Sequence, residues 1–246
     1  MNETILEFVD VRKRFAADRP VLDGLSLAVA AGETVALVGP SGCGKTTALK
    51  LANRLLDADH GDVRVFGRPV REQEPVELRR RIGWVIQEGG LFPHWTILEN
   101  VEAVPRLLGW EEGRRRERAD ALLTMVGLPA AVFAGRRPAS LSGGERQRVG
   151  VARALAAEPS LVLMDEPFGA LDPIARRAMQ REFLSWRERW HAAVVLVTHD
   201  LPEAFRLAGR VAVMNAGKIR QVGTPEDLRT RPADAFVREF VAEFVA

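Results

Sequence analysis

A run of glycines that ends in a lysine and a threonine lies near residue 40. Its residues, Gly39-Pro40-Ser41-Gly42-Cys43-Gly44-Lys45-Thr46, fit the pattern G-x-x-x-x-G-K-[ST]. In such a loop the glycines let backbone N–H groups turn toward phosphate oxygens, and the following helix points its positive end at the same anion. We predict that Lys45 contacts the β and γ phosphates of a nucleotide and that the Thr46 hydroxyl ligates Mg²⁺.

Two adjacent carboxylates follow an apolar run far along the chain. Leu161 to Met164 predict a buried strand, and Asp165 and Glu166 stand at its carboxyl end, the edge where open α/β sheets bind ligands. The carboxylate of Asp165 is suited to bind Mg²⁺, either directly or through a bound water. Glu166 would point elsewhere in an extended chain, where it could hold an attacking water. Carboxylates at a strand end can also be solvated side chains, but their combination with Lys45 favours the catalytic interpretation.

Two further polar residues directly follow predicted strands. His199 follows the apolar run 194–198, so we expect it on the same sheet edge as Asp165, where a neutral imidazole can donate to a γ phosphate. Gln87 follows the predicted strand 82–86 and could contact Mg²⁺ or the water. For both residues the alternative is an ordinary polar strand end.

A second glycine-rich turn, Ser142-Gly143-Gly144, follows Leu141 and precedes a long helical pattern from Glu145 to Ala157. Taken alone, it is typical of a helix N-cap. It is also a second helix start that attracts anions. Because one nucleotide hardly needs two such loops, we predict that this turn binds the γ phosphate of ATP held by a neighbouring copy.

The composition limits the class of protein. The chain has 246 residues, 47% of them hydrophobic, so a sizeable core can form. Lys and Arg number 35 against 33 Asp and Glu, a balance that does not favour a dedicated nucleic-acid binder. The single cysteine, Cys43, suits a reducing cytosol and is interpreted as a small side chain rather than a redox sensor. With no signal peptide and no run of ~18 apolar residues, we expect a soluble chain whose membrane role requires a partner.

The elements that position these residues follow from periodicity. Alternation predicts a half-buried strand at Leu25–Val29, and the apolar run Thr34–Val38 predicts a strand buried on both faces, followed by a helix over Thr46–Leu56. Strands alternating with helices predict an α/β fold with a parallel sheet, interrupted by a mostly helical insertion at about 98–156. The other predicted elements are strands at 5–11, 62–66, 82–86, 161–164 and 194–198, a helix near 174–190, a hairpin of 210–214 with 218–222, and an amphipathic helix at 235–245.

The C-terminal helix repeats Phe236, Phe240, Phe244 and Val237, Val241, Val245 at intervals of four residues. It either docks on the chain's own core or contacts a second subunit. We predict an ATP-binding core from 1–88 and 159–230, a helical signature subdomain at 89–158, and the C-terminal helix at 231–246.

These motifs together resemble the ATP-binding cassette (ABC) family. Gln87 matches its Q-loop and His199 its switch histidine, while Phe15 falls where the family places an adenine-stacking aromatic, commonly Tyr. The remaining matches are Gly39–Thr46 with Walker A, Leu141–Glu145 with the signature, Leu161–Glu166 with Walker B, and Ala170-Leu171-Asp172 with the D-loop.

The resemblance implies a RecA-like P-loop ATPase core with an antiparallel β subdomain and a helical insertion. It further implies a head-to-tail homodimer with two ATPs between Walker A of one copy and the signature of the other. Glu166 would be the general base, assisted by His199, Gln87 and Lys45, and Thr46, Gln87 and Asp165 would hold Mg²⁺. The implied nucleotide contacts are Phe15, Gly39, Pro40, Ser41, Gly42, Cys43, Gly44, Lys45, Thr46, Thr47, Ser142, Gly143, Gly144 and Asp172.

A closer resemblance is to importers of osmoprotectants such as glycine betaine and choline. It rests on Leu91–Asn100, Val104–Trp110 and Met164–Ile174. It implies membrane permease subunits that contact the Q-loop and helical insertion, an extracytoplasmic solute-binding protein acting indirectly, a place at the cytoplasmic face of the membrane, and no nucleic acid. Many members of this group carry a regulatory extension, which we do not expect after Ala246.

Other functions are compatible with the same motifs. The chain could energise import of another solute such as iron, a polyamine or an amino acid, although iron and polyamine importers usually append a β-rich C-terminal domain. A mechanical ATPase acting on DNA or ribosomes usually has two cassettes or a long coiled-coil insertion, and no sustained heptad run occurs here. A regulator that binds nucleotide without hydrolysis would not need the full set of catalytic side chains.

Overall fold

The computed structural model describes residues 3–15, 20–87, 90–169, 171–187, 190 and 192–245. The chain forms two compact units, which we call the first unit (Met1–Arg79 with Ala192–Ala246) and the second unit (Arg80–His191). The strands are β1 (Thr4–Arg14), β2 (Pro20–Ala30), β3 (Thr34–Val38), β4 (His60–Val65), β5 (Arg68–Pro69), β6 (Ile82–Val85), β7 (Leu161–Asp165), β8 (Ala193–Val197), β9 (Arg210–Asn215) and β10 (Lys218–Gly223). The α-helices are α1 (Lys45–Ala52), α2 (Pro75–Arg80), α3 (Ile97–Leu107), α4 (Glu112–Met125), α5 (Ala130–Phe133), α6 (Gly143–Leu155), α7 (Pro173–Arg187), α8 (Leu201–Leu207), α9 (Pro225–Thr230) and α10 (Ala235–Val245).

The first unit contains an antiparallel sheet with the strand order β2-β1-β4-β5. Leu25, Leu27 and Val29 of β2 are buried, whereas Ser26 and Ala28 between them are exposed. This confirms the half-buried strand predicted from the alternation, because successive side chains of a strand point to opposite faces.

A second group of strands in the first unit surrounds β3. This strand pairs in parallel with β8 on one side and with β9 on the other, and β10 returns antiparallel to β9. Every residue of β3 and β8 is buried, as their uninterrupted apolar runs predict. Ala216 and Gly217, both with positive φ, form the predicted hairpin turn between β9 and β10.

The helix after the glycine loop is shorter than predicted. It ends at Ala52 rather than Leu56, because Arg54 adopts a left-handed φ of 48°. Arg79 donates from Nε to the Asn53 carbonyl oxygen over 3.2 Å, and its Nη2 donates to the carbonyl of Arg54. A distant side chain thus satisfies carbonyls at the helix end that its own backbone leaves without partners.

The second unit places β6 in parallel with β7, and the helices α3 to α6 lie between them in the chain. The mostly helical stretch predicted at about 98–156 is therefore confirmed. A Cβ atom on Gly83 of β6 would lie 2.6 Å from the carbonyl oxygen of Ala154, so glycine is required where α6 lies against the strand. The α7 helix packs through Phe183, whose ring lies edge-on to Phe168 at 6.0 Å.

The C-terminal helix docks on the core of its own unit. Val237 and Val241 are buried in a cluster with Leu201, Ala204 and Leu228. The side chains of Phe244 and Val245 lie outside the described residues. In the part of the chain that the structure describes, no helix has the length and apolar character needed to cross a membrane. The division into three domains remains a prediction.

Candidate active site

The glycine loop depends on its glycines for steric reasons. Gly39, Gly42 and Gly44 have φ values of 149°, 77° and 107°. A Cβ atom on Gly39 would lie 2.1 Å from the carbonyl oxygen of Met214, and one on Gly44 would lie 2.7 Å from that of Val21. The loop is therefore pressed against the backbones of β9 and β2, and only glycine fits at these two positions.

Lys45 supplies a buried positive charge beneath the loop. Its side chain is 7% exposed, and its Nζ donates to the carbonyl oxygens of Gly39 (2.7 Å) and Pro40 (3.0 Å). The helix that it begins has no side-chain cap and no acidic residue in its first turn, whereas α3, α6 and α9 each begin with a capping box. The positive end of α1 is thus not neutralised by a side chain, and with Lys45 it fits a polyphosphate. Thr46 and Thr47 follow in the first turn, half-buried.

Cys43 belongs to the loop as a packing residue. It is 5% exposed, and its Sγ lies 3.8 Å from the Lys45 Nζ. Burial raises the pKa of the Cys43 thiol above its ordinary value, against the opposing effect of the Lys45 charge. A protonated, buried thiol fits the interpretation of a small side chain.

His199 lies near the beginning of the same loop. It follows β8, is exposed, and lines a cavity of about 430 Å³ together with Gly39, Pro40 and Ser41. The first unit therefore brings the glycine loop and His199 together, although they are far apart in sequence. Phe15 is 62% exposed at the end of β1, and its ring centroid lies 5.8 Å from the Lys13 Nζ.

In the second unit, Gln87 and Glu166 meet. The Gln87 Nε2 donates to the Glu166 Oε2 over 3.0 Å, because β6 and β7 are parallel neighbours whose carboxyl ends coincide. Asp165 is half-buried at the end of β7. The expectation of an extended chain at Glu166 is wrong, since its φ of 44° is left-handed. This turn of the backbone directs Glu166 toward Gln87 rather than along the strand.

The second glycine-rich turn is a helix cap. The Ser142 N–H donates to the Glu145 Oε2 over 2.7 Å, and the Glu145 N–H donates to the Ser142 Oγ over 3.2 Å. The hydrogen bond from the Ser142 backbone lowers the pKa of Glu145 below its ordinary value. The turn therefore forms the helix N-cap that the sequence indicated. Binding of a neighbouring copy's phosphate by Ser142, Gly143 and Gly144 remains a prediction.

The D-loop residues lie beside this turn. A Cβ atom on Gly144 would lie 3.6 Å from the Leu171 Cδ2, in ordinary contact. The Oδ1 of Asp172 accepts hydrogen bonds from the N–H groups of Ile174 and Ala175, both 3.0 Å, at the start of α7. Ala170 lies outside the described residues.

The predicted metal ligands belong to different segments: Thr46 lies in the first turn of α1, Gln87 follows β6, and Asp165 ends β7. Within the described ranges, no group of three or more His, Cys, Asp or Glu side chains could hold a metal ion. A hydroxyl, an amide and one carboxylate suit a Mg²⁺ ion that takes its other ligands from phosphate and water. The Mg²⁺ assignment remains a prediction.

Sequence reasoning assigned no role to Glu239 and Glu243 of α10, which line the same cavity as His199. Their spacing of four residues places them on one face of α10, next to the face of Phe236 and Phe240. That spacing was a usable signal, but only the docking of α10 shows that this face borders the glycine loop.

A glycine loop held open between a fully buried parallel strand and a helix without a cap, inside a mixed α/β unit, defines a phosphate-loop nucleotide-binding protein. Residues 22–169 match the family model described as ABC transporter. The chain belongs to the ABC transporter family.

Two relatives and one solved structure illustrate the similarity. The chain is 48% identical over 239 residues to the choline transport ATP-binding protein OpuBA of Bacillus subtilis (strain 168), covering 97% of this chain but 62% of that protein. It is 47% identical over 236 residues to the glycine betaine uptake system ATP-binding protein YehX of Escherichia coli (strain K12), covering 96% and 76%. The chain thus spans less than two thirds of OpuBA.

The solved structure is the dimeric post-hydrolysis state of the ATP-binding cassette MJ0796 bound to ADP and Pi. It matches with a TM-score of 0.79 and 32% identity, and the match covers 89% of this chain and 98% of that one. This similarity confirms the predicted α/β fold with a RecA-like core.

Proposed function

We propose that this chain is the ATP-hydrolysing subunit of an ABC importer, which drives a separate membrane permease. The observation that carries the proposal is the glycine loop, where buried Lys45 and an uncapped helix present positive charge to a polyphosphate. Family membership supports ATP as the ligand.

Each predicted catalytic residue has a stated task. Lys45 would contact the β and γ phosphates, and His199 would donate to the γ phosphate. Glu166 would accept a proton from the attacking water at a carboxylate oxygen, while the amide of Gln87, which already donates to that carboxylate, would orient it. Thr46, Gln87 and Asp165 would hold Mg²⁺, which would neutralise charge on the phosphates when bound.

The second glycine-rich turn would complete the site of a neighbouring copy. In its cap the Ser142 Oγ accepts a hydrogen bond from the Glu145 N–H, and a side-chain hydrogen bond of Ser142 also helps to lower the pKa of Glu145. A bound phosphate oxygen would therefore take the hydroxyl proton over from that carboxylate. The Glu145 N–H bond of the cap would be kept in that contact, and the positive end of α6 favours the same anion. A homodimer with two sandwiched ATPs follows, with Phe15 stacked on adenine and Asp172 near the nucleotide.

The solute and partners are inferred from the relatives. OpuBA is a choline transport protein and YehX serves glycine betaine uptake, so we propose a quaternary-amine osmoprotectant as the cargo. The partners would be a second copy, permease subunits that contact the Q-loop and helical insertion, and indirectly an extracytoplasmic binding protein. The chain would lie at the cytoplasmic face of the membrane.

The substitution Glu166→Gln tests the hydrolytic mechanism. Loss of a general base lowers turnover by roughly 10²–10⁴-fold, so we expect phosphate release with permease present to fall within this range. Glu117→Gln, which neutralises an exposed carboxylate of α4 in the same unit, is the matched control. Unchanged turnover in the Glu166 variant would contradict the assignment of the base.

The cargo is tested separately by reconstituting the chain with its permease and binding protein in vesicles. We expect ATP-dependent uptake of radiolabelled choline or glycine betaine into the compartment that contains the ATPase. Turnover that responds to another solute, and to neither of these, would contradict the osmoprotectant assignment without affecting the ATPase mechanism.

A further inference from the structure

The cavity beside the glycine loop has one polar wall and one mixed wall. Its polar side is formed by Pro40, Ser41 and His199 together with the backbone of Gly39, and α10 forms the other side. The α10 residues that line it are Phe236, Glu239, Phe240 and Glu243. The two phenyl rings are stacked, with centroids 5.8 Å apart, and both are partly buried against the core cluster beneath them.

Two glutamates give this wall of the cavity negative charge. Glu239 and Glu243 are exposed, and within the described residues neither forms an ion pair. Asp234, just before the helix, differs because it pairs with Arg220 at 2.6 Å. The α10 side of the cavity thus combines two carboxylates, of Glu239 and Glu243, with the two phenyl rings.

A complementary surface lies on α7 of the second unit. Ile174 is 83% exposed, the highest value among large hydrophobic side chains in the described part of the chain. Arg177 and Arg181 follow it on the same helix face, exposed, and in the described ranges neither forms an ion pair. Glu182 does not cancel this charge, because it is paired with Arg148.

The two surfaces match in spacing as well as in charge. On α7, Ile174 precedes Arg177 by three residues, and Arg181 follows four residues later. On α10, Phe236 precedes Glu239 by three residues, and Glu243 follows four later. Since both helices rise about 1.5 Å per residue, side-by-side parallel alignment places the apolar residues together and each arginine opposite a glutamate.

We propose that the cavity wall formed by α10 receives α7 of a second copy of this chain. Ile174 would contact the phenyl ring of Phe236, and Arg177 and Arg181 would pair with Glu239 and Glu243. This inference rests on the homodimer proposed above and names a contact that the ATP sandwich alone does not require. Two-fold symmetry would form the contact twice.

The contact between α7 and α10 would also affect the predicted nucleotide site, which shares this cavity. Because the cavity includes Pro40, Ser41 and His199, a helix seated there would close one side of the loop that holds the phosphates. Docking of α7 would therefore help hold the loop and His199 in place in the ATP-bound dimer.

Charge reversal tests the pairing. In the chain loaded with Mg²⁺ and a non-hydrolysable ATP analogue, we expect Glu239→Arg with Glu243→Arg to weaken dimerisation at least about tenfold, because the attractions become repulsions at both symmetric contacts. Adding Arg177→Glu and Arg181→Glu should restore dimerisation. Arg238→Glu, on α10 outside the cavity lining, should have no effect. Sedimentation velocity across a concentration series measures all four.

Crosslinking provides a readout that does not depend on reversed charges. Arg177→Cys with Glu239→Cys in one chain should give a nucleotide-dependent crosslinked dimer with a short bismaleimide, whereas Arg177→Cys with Arg238→Cys should not. The native Cys43 is 5% exposed and does not compete.

The outcomes separate this inference from the proposed function. If the parent chain dimerises with nucleotide but charge reversal has no effect, or the crosslink does not form, the α7–α10 contact is wrong and the homodimer stands. If the parent chain stays monomeric with nucleotide, the homodimer and the contact are both wrong.

Discussion

The substitution Gly39→Ala tests the steric origin of the phosphate loop. The new Cβ atom would lie 2.1 Å from the Met214 carbonyl oxygen and 3.0 Å from the Cys43 Sγ. Met214 is fully buried in β9, so its carbonyl cannot move away alone. Gly42→Ala is the matched control, because Gly42 also has a positive φ but a Cβ there would meet no atom within 4 Å.

The structure separates the expected costs of the two changes. Both variants place an L-residue in a backbone region that disfavours it, which costs roughly 1–2 kcal/mol. Gly39→Ala adds overpacking against the backbone, typically about 1–3 kcal/mol. We therefore expect Gly39→Ala to lower the free energy of unfolding by roughly 2–5 kcal/mol and Gly42→Ala by about 1–2 kcal/mol.

Urea unfolding followed by far-ultraviolet circular dichroism measures both values. Tryptophan fluorescence is unsuitable, because the five tryptophans all fall within the second unit, whereas both substitutions lie in the first. Equal destabilisation by the two alanines would refute the argument, since the close approach of Gly39 to Met214 would then have no energetic consequence.

Three further predictions follow from side-chain contacts. Ser142→Ala and Thr224→Ala each remove a capping box, and each should lower the free energy of unfolding by about 1 kcal/mol. Only Ser142→Ala should also slow ATP turnover. Equal turnover in the two variants would contradict the phosphate contact of Ser142. Lys45→Ala should abolish nucleotide binding measured by calorimetry, because it removes the buried charge beneath the loop, and retained affinity would contradict that role. The hydrogen bond from Lys13 lowers the pKa of Asp59 in the folded chain. The pair therefore stabilises the fold at a pH above the pKa of Asp59 in the unfolded chain, near 3.9. That stabilisation is lost as the pH falls through the lower pKa of Asp59 in the folded chain. Asp59→Asn should therefore be less stable than the parent at pH 7 and equal to it in strong acid, as measured by urea midpoints across pH; a constant difference would contradict the linkage.

Local signals in the sequence predicted the contiguous parts of the site. The glycine loop, Lys45 and the buried run of β3 are consecutive, so strand, turn and helix follow from residue type and period alone. The amphipathic C-terminal helix was predicted for the same reason, because its four-residue repeat is a property of one segment.

Contacts between distant segments required the tertiary structure. Gln87 and Glu166 are 79 positions apart, and their hydrogen bond depends on the register of two strands and on a left-handed turn that no local pattern indicates. The end of α1 at Ala52 is accompanied by a hydrogen bond from the distant Arg79, and the acidic wall beside His199 depends on Val237 docking in the core. Periodicity is encoded within a segment and can be read there, whereas register, helix ends and cavity walls depend on which distant groups pack together, so only the folded chain decides them.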